Sequence, residues 1–119
     1  MKAAAMARYE IDYFEIPAAD AGKTSAFFTA AFGFAALAYG PDYIEVREAG
    51  VLGGVNGDAG DRPAAPLIGI RTDDIAVTER AIVAAGGTIT KPAYPFPGGR
   101  RLFFREPGGA ELLVYQPND

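Results

Sequence analysis

Apolar and polar residues alternate over Tyr9–Pro17 (YEIDYFEIP), the pattern of a strand with one buried face, and Pro17 closes it. Asp20 is a good N-cap for a helix beginning at Ala21. In Ala21–Phe32 (AGKTSAFFTAAF), Phe27, Phe28, Ala31 and Phe32 fall on one helical face, which predicts a helix stopped by Gly33. Three short strands are expected next, over residues 35–39, 43–48 and 51–56, with turns at Gly40-Pro41-Asp42 and Glu48-Ala49-Gly50. The stretch GDAGDRPAAP has no period and reads as a linker, about 58–65, between modules at about 9–57 and 66–116. The order then restarts. Leu67–Thr72 predicts a strand, Asp74 caps a helix through Ala85, and Gly86-Gly87 stops it. Residues 88–90 predict a short strand, 91–99 a proline-rich loop, and 100–105 and 110–115 the last two strands, joined by Glu106-Pro107-Gly108-Gly109.

The restart is an internal repeat. At an offset of 54, Ile70 falls on Ile16, Asp74 on Asp20, Thr78 on Thr24, Ala84 on Ala30, Ala85 on Ala31 and Gly87 on Gly33. Each half reads β-α-β-β-β, a single domain of class α+β built from two tandem modules.

Three segments carry a family resemblance: IDYFEIPAADAGKTSAFFTAAFGF at 11–34, PLIGIRTDDIAVTERAIVAAGGTI at 66–89 and FPGGRRLFFREPGGAELLVY at 96–115. In this order the chain resembles the vicinal oxygen chelate superfamily, which holds glyoxalases, bleomycin-resistance proteins and extradiol dioxygenases. The resemblance implies two βαβββ modules forming a cupped, mixed sheet around a cavity, and a homodimer. It also implies where a metal would be held in metal-dependent members. Those positions fall here on Tyr13, Leu67 and Leu113, so no metal and no cofactor are expected. Fold alone does not settle function.

Composition narrows the chemistry. Among 119 residues there is no histidine, the commonest general base and metal ligand, and no cysteine, which excludes disulfides and thiolate chemistry. The net charge of -4 argues against nucleic acid, which needs a basic face, and suits a cationic or neutral small molecule. The opening MKAAAMA lacks the apolar stretch of a signal peptide, and no run approaches the ~20 residues that span a bilayer. A cytoplasmic protein with no membrane partner is the expectation.

Side chains two apart share a strand face. If Tyr13 faces the cavity, so does Glu15, while Phe14 and Ile16 pack on the helix. The same rule groups Tyr43, Glu45 and Arg47, with Ile44 and Val46 in the core. It places Arg71 with Leu67, Glu111 and Tyr115 with Leu113, and Arg101 and Phe103 opposite Leu102 and Phe104. Tyr13 is a candidate ligand contact or a half-buried strand tyrosine. Glu15 and Glu111 are a candidate carboxylate pair, or they form ion pairs with Arg71, Arg47 or Arg101. The two arginines Arg71 and Arg101 could instead clamp an anion. The loop at 93–99 could be a lid whose Phe96 touches the ligand, or a rigid connector. Gly53-Gly54 in a strand marks curvature or close approach. Three functions are open: a metal-independent protein that binds or sequesters a small organic molecule, a glyoxalase-like lyase or isomerase using carboxylates such as Glu15, Glu45 and Glu111 on a hard cation, or a partner-binding module with no small ligand.

Overall fold

The computed structural model describes residues 7–119. Residues 1–6, most of the stretch read as too short for a signal peptide, lie outside the described residues. The elements are β1 (Tyr9–Pro17), α1 (Ala21–Phe32), β2 (Ala35–Ala38), β3 (Tyr43–Arg47), β4 (Leu52–Asn56), β5 (Leu67–Thr72), α2 (Ile75–Ala84), β6 (Thr88–Phe96), β7 (Gly99–Arg105) and β8 (Glu111–Pro117). This is the βαβββ order twice, an α+β fold. Two compact units result: residues 12–68, here the N-terminal unit, and residues 69–119 with 7–11, here the C-terminal unit.

The repeat extends to the helix caps. Asp20 accepts a hydrogen bond from the Lys23 backbone N–H at 3.0 Å, and Asp74 accepts one from Val77 at 3.1 Å. Both the caps and their donors are 54 apart (74 − 20 and 77 − 23). The helix ends diverge. Gly33 stops α1 in the left-handed region (φ 75°), whereas α2 turns at Gly86 (φ 96°), one residue before the glycine that the offset matches to Gly33.

In the N-terminal unit the strand order is β2-β3-β4-β1, with β1 parallel to β4 and the other pairs antiparallel. Its core is Ala21, Ile44, Val46 and Val55, with Phe14, Phe28 and Phe34 packed against them. Strand alternation placed Phe14, Ile44 and Val46 correctly. The phenylalanine face of α1 needs correction. Only Phe28 reaches the core, while Phe27 and Phe32 are each 60% exposed. The capped helix instead turns Ala21, Ser25 and Phe28, at i, i+4 and i+7, inward. The displaced rings stack on their neighbours, Phe27 edgewise on Phe28 at 5.9 Å and Phe32 tilted on Phe34 at 5.6 Å.

In the C-terminal unit the order is β5-β8-β7-β6, with β5 parallel to β8. Ile75, Leu102, Phe104 and Val114 form its core, joined by Ile70, Ile82 and Leu112. The predicted loop at 91–99 is mostly strand: β6 runs to Phe96 and pairs with β7 through Phe96↔Gly99, so no free lid exists at 93–96. Prolines hid it from the sequence. Pro92 and Pro95 have no N–H to donate, yet an outer strand bonds on one side only and tolerates them. Register shifts between Ile89 and Lys91 and between Lys91 and Tyr94 absorb the misfit.

Candidate functional site

The face of the N-terminal sheet opposite α1 gathers the first group of candidates. The register sets Glu15 opposite Gly54 and Gly54 opposite Glu45. Gly54 has no side chain, so the Tyr43 ring crosses above it. A Cβ there would overlap the hydroxyls of both Tyr43 and Tyr13. On the other face Gly53 does the same for the Phe14 ring. The double glycine therefore makes room on both sides of one strand.

Glu15 is fully buried. Tyr43 donates to its Oε1 at 3.0 Å and Asn56 Nδ2 donates to its Oε2 at 3.2 Å. The hydroxyls of Tyr13 and Tyr43 also share a short hydrogen bond. A phenol has one proton, and that of Tyr43 is committed to Glu15, so Tyr13 is the donor in the tyrosine pair. The chain of donation runs Tyr13 to Tyr43 to Glu15. Asn56 is also fully committed: its amide donates to Glu15 and to Asp61 Oδ2 (3.1 Å), and its carbonyl accepts from Asp58 N–H (2.9 Å). The network holds one carboxylate in fixed orientation with hydrogen-bonded phenols beside it, an arrangement suited to a ligand donor or cationic group.

Tyr13, Glu15 and Tyr43, three of the candidate residues, thus meet in one hydrogen-bonded group. Glu45 and Arg47, grouped with them by alternation, instead pair with each other at the sheet's open side, Arg47 Nε lying 2.6 Å from Glu45 Oε1. Glu45 holds the exposed guanidinium of Arg47 protonated to still higher pH than usual. Two residues were missed. Asn56 lies two places after Gly54, where alternation would have found it; Asp61 lies in the stretch read as linker and gives no periodic signal.

A second group forms on one face of the C-terminal sheet. Arg101 is buried, its guanidinium carbon 5.5, 5.1 and 5.2 Å from the ring centres of Tyr94, Phe96 and Phe103. Its Nε donates to the Tyr94 hydroxyl at 2.8 Å. Lys91 Nζ lies 5.2 and 5.4 Å from the Tyr94 and Phe103 rings, and Phe96 meets Tyr115 edge-on at 6.5 Å. The sequence supplied Phe96, Arg101, Phe103 and Tyr115. It missed Tyr94 and Lys91, which lay in the segment read as a loop, where no face could be assigned. Arg71 is exposed beside Tyr115 in the β5–β8 register.

Glu111 departs from expectation. Thr90 Oγ1 donates to it at 3.0 Å, and no arginine among the described residues pairs with it. At the positions where a metal was implied, Leu67 and Leu113 are buried hydrocarbon. Among the described residues no group of three or more acidic side chains could hold a metal ion. None of the helices described is long and apolar enough to cross a membrane.

A family model described as Glyoxalase/Bleomycin resistance protein/Dioxygenase superfamily matches residues 10–114. No curated protein matches the chain. Among solved structures, methylmalonyl-CoA epimerase from Mycobacterium tuberculosis superposes with a TM-score of 0.73 at 14% identity, over 100% of this chain and 94% of that one. NAD-dependent benzaldehyde dehydrogenase from Legionella pneumophila gives 0.74 at 10% identity, over 90% and 99%. A glyoxalase/bleomycin resistance protein/dioxygenase superfamily member from Vibrio splendidus 12B01 gives 0.64 at 16%, over 95% and 100%. At these identities the likeness is one of fold.

Proposed function

The chain belongs to the Glyoxalase/Bleomycin resistance protein/Dioxygenase superfamily, and we propose that it binds or sequesters a small organic molecule without a metal ion. The observation that carries this reading is the buried Glu15 carboxylate, oriented by Tyr43 and Asn56 with Tyr13 behind Tyr43. A fixed carboxylate with phenols beside it favours a ligand that presents a donor or a positive charge. The net charge of -4 acts in the same direction.

The metal-free half of the proposal rests on donor chemistry. A divalent ion takes about three to six oxygen, nitrogen or sulfur donors. Leu67 and Leu113 offer none, and the Tyr13 hydroxyl is bonded to Tyr43. The alternative, a lyase or isomerase with a carboxylate-held cation, would need a donor set that the described residues do not assemble. Elemental analysis of the purified protein tests this. Substoichiometric metal is expected; one divalent ion per chain, lost in Glu15→Gln, would overturn it. The family resemblance supports extending the proposal to a homodimer, which light scattering tests against the 12.5 kDa chain mass.

A further inference from the structure

Two strands that correspond in the repeat, β2 and β6, protect their open edges differently. In the C-terminal unit β6 carries Lys91, Pro92, Pro95 and two register shifts, the features that keep an outer strand from pairing with another chain. Its counterpart β2, at the end of the N-terminal sheet, reads Ala35-Ala36-Leu37-Ala38 and has neither a charge nor a proline. The Tyr39 N–H donates to the Tyr43 carbonyl at 2.8 Å. Bonding alternates along an antiparallel pair, so Ala36 and Ala38 aim their backbone N–H and C=O groups away from β3, along the open edge.

The helix side of that edge is open as well. Ala36 and Ala38 stand opposite the core residues Val46 and Ile44, on the face that α1 covers farther in, yet both are exposed. Phe27 and Phe32 of α1 are the exposed rings on this side, and Phe32 stacks on Phe34, the residue before β2. At 60% exposure each, the two rings leave about 240 Å² of aromatic surface uncovered, roughly a third of what one partner gives to a standard interface. A foreign peptide added to an edge is recognised through pockets for its alternate side chains, and a row of alanines shapes none. A second copy satisfies the edge by symmetry. About a twofold axis perpendicular to the sheet, β2 pairs antiparallel with its own copy, and each open N–H meets a C=O. The same axis sets both α1 helices on one face, where the rings of the two copies close over the uncovered alanines.

We propose that the β2 edge, with Phe27 and Phe32, is the surface that joins two copies of this chain, an interface that rests on the homodimer read above. Sedimentation equilibrium of the full chain tests it. Wild type is expected to pass from monomer to dimer in the micromolar range, as a small interface does. Ala38→Lys puts a charge on the open edge, and Phe27→Lys removes one ring. Both positions are exposed, so circular dichroism should stay unchanged while each variant weakens dimerisation at least about tenfold. Val83→Lys, at an exposed apolar position of α2, is the control and should leave dimerisation as it is. A dimer that either Ala38→Lys or Phe27→Lys leaves intact would overturn this surface and keep the homodimer reading. A chain that is monomeric at every concentration would overturn both. Loss of the dimer in Val83→Lys would also overturn this surface, because the interface would then lie on α2.

Discussion

Tyr43 reaches across Gly54 to place its hydroxyl 3.0 Å from a carboxylate oxygen of Glu15, a residue 28 positions earlier in the chain. One proton on that phenol ties β3 to β1 and orders Tyr13 behind it. Tyr43→Phe keeps the ring and removes the bond. It should lower stability by about 1–3 kcal/mol, the cost of leaving a buried acceptor short of a donor. Urea unfolding with an unchanged slope would show it.

Gly54→Ala tests the space that this reach needs. The added methyl would overlap both hydroxyls, so Tyr43 or Tyr13 must move. A loss of about 1–3 kcal/mol is expected. Combined with Tyr43→Phe, the loss should be smaller than the sum of the two single effects, because one of the overlapping hydroxyls is already gone. Strict additivity would show that the crowding lies elsewhere.

Arg101 is held by three rings and the Tyr94 hydroxyl. Lysine cannot stack a planar group on them or keep the Nε donor. Arg101→Lys should therefore cost about 1–3 kcal/mol in thermal or urea unfolding. A silent substitution would show that the box contributes charge alone.

Glu106 gives a pH dependence with a defined sign. Its folded pKa is depressed by two backbone donors, so its stabilising contribution is present above the unfolded carboxylate pKa. It is lost as pH falls through the lowered folded value. Carbon-detected titration should place its midpoint below that of an ordinary glutamate, and Glu106→Gln should flatten the acid limb of the stability curve. A midpoint at or above the ordinary value would contradict the turn geometry.

Strand alternation made the two sheet faces legible in the sequence, because a period of two depends only on backbone pleat. It separated Phe14 from Tyr13 and Glu15, and Leu102 and Phe104 from Arg101 and Phe103. The capping aspartates were legible for the same local reason. Alternation could not tell which polar groups meet. Glu45 took Arg47 on its own strand, and Glu111 took Thr90, because bonding depends on side-chain reach between neighbours and not on shared face alone. Helix α1 misled in another way: its phenylalanines outnumber the positions that face the core, and the cap set which one turned inward. Prolines concealed the second half of β6, and with it Tyr94 and Lys91.

The central claim is that a metal-free chain takes up a small molecule through the Glu15 network. The most direct measurement is the thermal shift of chelator-treated wild type and Glu15→Gln against one set of cationic, neutral and anionic organic compounds. Cationic or neutral donor compounds should raise the wild-type midpoint without added metal, and the part of that rise owed to this network should vanish in Glu15→Gln. Stabilisation by anions alone, or only after a divalent metal is restored, would contradict the claim.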